Sequence, residues 1–115
     1  MKKSFLGIII LVVLSCSQSS SPDGVMDESA MINYLIDLHL AEAAVQDLRL
    51  KKDSAEIVFA AQEKLLLKTH HITDSMFVKS YTYYLERPEE FEAIYSAIVD
   101  SLSLRQVLLR EDDKQ

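Results

Sequence analysis

The sequence is short of the residues that break or staple a chain. Its 115 residues include one cysteine, two glycines and two prolines. A single thiol, Cys16, excludes a disulfide or a CxxC redox pair within one chain. Beyond Gly24 there is no further glycine, and Pro88 is the only proline after Pro22. A sheet protein needs turn chemistry at short intervals, so this scarcity argues against hairpin-rich folds. No glycine-rich phosphate loop is present, and the serines between Ser17 and Ser21 sit where no scaffold would position a nucleophile. Cationic side chains are also few, 12 against 18 acidic ones, for a formal charge of -6. Nucleic acid, whose phosphates demand a basic surface, is thereby excluded as a partner.

What the chain does have begins at its first residue. Met1-Lys2-Lys3 is a short positive region, and Phe5 to Leu14 is an uncharged apolar run of ten residues. Spanning a bilayer as a helix takes roughly 20 apolar residues. Ten suit the hydrophobic region of an export signal, which polar residues from Ser15 onward end abruptly. Val13-Leu14-Ser15-Cys16 is similar to the lipobox of bacterial lipoproteins, in which a small residue precedes the cysteine that receives diacylglycerol. The expected organisation is a signal peptide over 1–15, the lipidated Cys16 with a flexible tether over 16–24, a domain over 25–110 and a tail over 111–115. No cofactor is expected beyond this covalent lipid.

Loss of Lys2 and Lys3 leaves 10 basic and 18 acidic side chains, so the mature charge is -8. That argues against a second, electrostatic membrane anchor. At about 0.8 kcal/mol per buried methylene, two or three acyl chains hold the bilayer on their own. The tether, stretched at about 3 Å per residue, reaches about 25 Å and keeps the domain near the membrane. Ser17 stands where an aspartate would favour inner-membrane retention, and no acidic cluster follows Cys16 as in surface-exported lipoproteins. The expected location is the outer membrane, with the domain facing the periplasm.

The rest of the chain, rich in Ala, Leu, Glu and Lys, reads as a small all-α bundle of three to four helices. Asp27 can cap a first helix running to about Leu50, with Met31, Leu35, Leu38, Ala41, Val45 and Leu48 as one stripe. Asp53 and Glu56 form a D-x-x-E pair resembling a capping box, opening a second helix that ends near His70. Its stripe reads as Ile57 or Val58, Ala61 and Leu65. Thr73 can cap a third helix bearing Phe77, Tyr81 and Tyr84. Pro88 then either begins a fourth helix as its first residue or kinks a continuous one; the lost helical hydrogen bond favours a break, although Arg87 is a poor cap, and Phe91, Ile94, Ile98 and Leu102 form the last stripe. Glu111 to Gln115 reads as a frayed tail.

Two constellations could carry function. His39 and Glu42 stand three apart on one helical face, as metal ligands can. No second pair of that kind exists on another helix, and His70 and His71, being adjacent, diverge by about 100°. That face is either an ordinary polar surface or a ligand- or metal-binding site. The second is Tyr83 with Glu86, Glu89 and Glu90 around Pro88, near Glu92. Tyr81 and Tyr84 share the stripe of Phe77, whereas Tyr83 points away from it as a candidate interface aromatic. The acidic run is either a solvated face or a docking site for a protein partner in the envelope. No arrangement here suits catalysis, so the protein is not expected to be an enzyme.

Asp37-Leu38-His39-Leu40-Ala41-Glu42-Ala43, Asp53-Ser54-Ala55, Tyr83-Tyr84-Leu85 with Pro88-Glu89, Ile94-Tyr95 and Asp100-Ser101-Leu102, together with the lipobox, resemble a family of short Bacteroidota lipoproteins classed as a domain of unknown function. The resemblance covers nearly the whole mature chain. It implies a helical lipoprotein and a link with outer-membrane protein assembly, but no reaction. A second stretch from Ile72 to Phe91 is similar to helices of periplasmic parvulin-type chaperones, without their isomerase domain. Both resemblances imply an interaction or scaffold subunit of an envelope complex.

Overall fold

The computed structural model describes residues 21–115, so the leader over 1–15, Cys16 and the tether as far as Ser20 lie outside the described residues. The described residues form four helices and no strand: α1 (Glu28–Asp47), α2 (Lys52–Thr69), α3 (Asp74–Leu85) and α4 (Pro88–Asp112). The protein is thus a small all-α bundle. α1 packs against α2 on one side and α4 on another, while α3 packs on α4.

Three helix starts follow local chemistry. The Asp27 carboxylate accepts from the Ala30 amide at 2.7 Å, and the Thr73 hydroxyl accepts from the Met76 amide at 3.1 Å. Each satisfies an amide that the first helical turn leaves without a partner. Pro88 is the first residue of α4, where its missing N–H costs nothing and its fixed φ suits the helix. Arg87 before it offers no side-chain cap.

α2 departs from its sequence reading in two ways. It starts two residues earlier than the capping box requires: Lys51 occupies the N-cap position without a side-chain bond. Asp53 therefore lies inside the first turn, where its charge favours the helix N-terminus without capping it. The buried side is also different. Ile57 is 71% and Leu65 57% exposed, and Ala61 is exposed too. Of the expected stripe only Val58 turns inward, joined by Ala55, Phe59, Leu66, Leu67 and His70. No residue of α2 is fully buried.

The chain reverses after α1 and α2 without glycine. Arg49 takes φ 51° and His71 φ 56°. After α2, the Ile72 amide donates to the Leu67 carbonyl at 3.0 Å and the His71 amide to the Lys68 carbonyl at 3.2 Å. This is a Schellman cap, with a histidine in the left-handed position that glycine normally takes. The corresponding reversal at Arg49 ends α1 at Asp47, three residues short of the expected Leu50. At the other end of the chain, α4 runs to Asp112, into the residues read as a frayed tail.

The core gathers Met31, Tyr34, Leu35 and Ile36 of α1 with Tyr84, Ile94 and Ile98. Val25 and Met26, which precede the first helix, belong to it as well. Those two are delivered by a strap, Ser21 to Asp27, laid along α3. The Val25 amide donates to the Pro22 carbonyl at 3.0 Å, closing a turn with Gly24 at φ 77°. That is the type II position that calls for glycine. Two side chains one turn apart then hold the strap. The Ser80 hydroxyl accepts from the Met26 amide at 2.8 Å and donates to the Met76 carbonyl at 2.6 Å. The Tyr84 hydroxyl donates to the Met26 carbonyl at 2.7 Å. Ser80 is fully buried, and these bonds pair both backbone groups of a residue that would otherwise be desolvated alone. The last part of the stretch read as tether, Ser21 to Gly24, is thus bonded to the domain.

Candidate functional site

Tyr83, Glu86, Glu89 and Glu90 come together at the corner between α3 and α4. The break at Pro88 creates that corner, turning the chain within two residues after Leu85. The Arg87 amide donates to the Tyr84 carbonyl at 2.9 Å, and its guanidinium donates to the Tyr83 carbonyl, also at 2.9 Å. The same guanidinium lies over the Tyr83 ring, 3.5 Å from its centroid. A cation seated on an aromatic face at that distance is held by the ring quadrupole as well as by packing. Tyr83 meets Tyr84 edge to face at 5.1 Å. Tyr83 is consequently half-buried, with one face already covered by Arg87. It is a support for the corner more than a bare aromatic anchor.

Around this support the carboxylates present a negative rim. Glu86 and Glu89 are exposed and Glu90 is half-buried. Arg87, Pro88, Glu89 and Glu90 line an open depression of about 430 Å³. Glu92 belongs to a neighbouring one of about 400 Å³, with Tyr95, Ser96, Val99 and Asp100. The corner's field reaches the core. Burial pushes the Tyr84 phenol up to about 12, and Glu28, Glu90 and Asp27 add to that rise. The strap and the start of α1 therefore share one acidic end of the bundle with the α3–α4 corner.

The other expected pair behaves as a surface contact. His39 Nδ1 stands 3.7 Å from Glu42 Oε2, with the side chains 38% and 54% exposed. His39 also meets the Tyr95 ring edge to face at 6.4 Å. Among the described residues no three His, Cys, Asp or Glu side chains are grouped so as to hold a metal ion. His70 does not supplement His39. Its Nε2 lies 2.8 Å from Asp37 Oδ2, and its ring meets Tyr34 edge to face at 5.3 Å. Asp37 and His70 thus tie the end of α2 to α1, a link that 33 residues of separation hid from the sequence reading.

Tyr34 was also missed, although it is nearly inaccessible and starts an aromatic chain across the bundle. Tyr34 meets Phe77 at 4.8 Å, Phe77 meets Tyr81 at 5.9 Å, Tyr81 meets Phe91 at 5.9 Å and Phe91 meets Tyr95 at 4.7 Å. Burial raises the Tyr34 phenol to about 12, helped by Glu63 and Asp74. Burial likewise raises Tyr95 to about 12, together with its Tyr81 neighbour.

No curated protein and no solved structure matches this chain. A family model described as a domain of unknown function does match it, from the turn that opens the strap to the exposed end of α4. The chain belongs to that family, DUF4296, over residues 22–107.

Proposed function

We propose that the protein is an outer-membrane lipoprotein, anchored by acyl chains on Cys16 and facing the periplasm, that acts as a non-enzymatic docking subunit of an envelope complex. A complex that assembles outer-membrane proteins is the partner class this reading favours. The observation that carries the docking role is the α3–α4 corner. It offers a guanidinium held in place on Tyr83, inside a rim of Glu86, Glu89 and Glu90. A pre-positioned arginine beside an aromatic ring is a common composition of binding hot spots, because little side-chain entropy remains to be lost. The carboxylate rim suits a basic partner surface.

The test is affinity purification from envelopes after crosslinking in intact cells. Glu89→Lys reverses charge on an exposed position and should leave the helical signal and membrane attachment intact. Adding Tyr83→Ala removes the seat of Arg87. The double variant should recover markedly less of the envelope complex than wild type. Undiminished recovery from a folded double variant would discard this corner as the contact and leave the His39 and Glu42 face as the next to examine.

A further inference from the structure

The strap fixes where the chain enters the domain, and that entry point has an orientation. Ser21 follows Cys16 by five residues. At about 3.3–3.6 Å per residue the chain spans at most about 18 Å between them, less than two helix diameters of about 10–12 Å each. The strap lies against one flank of α3. Ser80 and Tyr84 grip Met26, and the Lys79 ammonium donates to the Asp23 carbonyl at 3.1 Å. Next to Lys79 around the helix is α3's outward side, where Val78 is 55% and Leu85 52% exposed with Thr82 between them. Residues 78, 82 and 85 share one face by helical spacing. By the same spacing Asp74 closes that face at its N-terminal end and Glu86 follows Leu85 at the other; from Ser75 to Leu85 it has no carboxylate, and Lys79, the one cation of α3, borders it.

The other surfaces near the entry point carry more carboxylates. The start of α1 and the α3–α4 corner carry Asp27, Glu28, Glu86 and Glu89, whose charge is repelled by anionic headgroups and costly to desolvate. We infer that the outward face of α3, centred on Val78, Lys79 and Leu85, rests on the headgroup layer of the bilayer, held there by the short tether. This rests on the proposed lipidation of Cys16. The contact needs little affinity of its own, because the tether keeps the face at high effective concentration beside the membrane. It gives the domain one preferred attitude.

The test uses the full chain produced in a bacterial host that processes lipoproteins, with its intact mass measured first. It is then reconstituted into nanodiscs of phosphatidylethanolamine and phosphatidylglycerol that carry some gadolinium-chelating headgroups. Methyl relaxation is compared with discs holding a diamagnetic lanthanide. The expected result is enhancement severalfold larger at the Val78 and Leu85 methyls than at Ile57 and Leu65 of α2 or Leu108 of α4. Leu85→Glu, an exposed change that leaves the core alone, should reduce the enhancement at Val78. Equal enhancement at all these methyls, or a maximum on α2 or α4, overturns the inference. So does a second copy or another protein seated on α3, which would hold its methyls away from the headgroups. A mass showing no lipid would instead refute the anchoring reading beneath it.

Discussion

Replacing Tyr84 by Phe isolates the bond that holds the strap. The ring keeps its volume in the core, so no cavity forms and only the hydroxyl is lost. Tyr84 is 2% and Met26 3% exposed, which leaves water little access to the carbonyl that the hydroxyl served at 2.7 Å. Depriving a buried acceptor of its donor costs about 1–3 kcal/mol. In a domain of about 100 residues each kcal/mol shifts the melting temperature by about 4–8 °C, so Tyr84→Phe should lower Tm by about 5–20 °C. Thermal unfolding followed by circular dichroism measures this. Hydrogen exchange should locate it, because the Met26 amide, bonded to Ser80 from the other side, should exchange faster in the variant. Ser80→Ala should act on the same residue, and the pair should be non-additive. An unchanged Tm with unchanged Met26 protection would mean that the strap is not held as described, and the entry point of the chain would lose its fixed place.

Other consequences follow from the caps, the core and the tyrosines. His71→Gly should stabilise by about 0.5–1 kcal/mol, because glycine takes a positive φ without the steric penalty that histidine bears; urea unfolding checks it, and a loss of stability would show the cap to be misassigned. Leu35→Ala should cost about 2–5 kcal/mol and Ile57→Ala less than about 0.5, since Leu35 is 3% exposed and Ile57 71%. Equal costs would restore the α2 stripe read from the sequence. Alkali should unfold the domain from about pH 10 upward. The unfolded tyrosines ionise near 10 while Tyr34 and Tyr84 keep their protons to about 12, so stability present below pH 10 is lost as pH rises through that window. A spectroscopic titration of the phenolates beside the unfolding curve reads both at once.

The parts of the fold that were legible in the sequence are those set by local chemistry. Asp27, Thr73 and Pro88 start helices for reasons contained in one turn of chain, and on α4 Ile94 and Ile98 are buried as their i, i+4 spacing suggests. α2 was misread because Ile57, Val58 and Phe59, then Leu65, Leu66 and Leu67, put apolar residues on several sides of the helix. Periodicity alone cannot choose among such faces, and packing against the core selects Leu66 and Leu67 over Ile57 and Leu65. The ends at Arg49 and His71 carry no glycine to announce them. The strap was invisible because its bonds join residues 54 and 58 positions apart. Its one signal in the sequence is a serine and a tyrosine at i and i+4 on α3. At the α3–α4 corner the four residues named from the sequence do converge, but Arg87, which organises Tyr83, carries no signal in the sequence beyond being a poor cap.

Anchoring through Cys16 underlies the proposed location, the docking role and the attitude at the membrane alike. The most direct measurement is the intact mass of the protein recovered from the membrane fraction of an expressing bacterium, with a fragment spectrum of its N-terminal peptide. The expected species begins at Cys16, lacks residues 1–15 and carries a thioether-linked diacylglycerol, with or without a further acyl chain on the amino group. A chain that retains Met1 to Ser15, or one that begins at Cys16 with a free thiol, would contradict it.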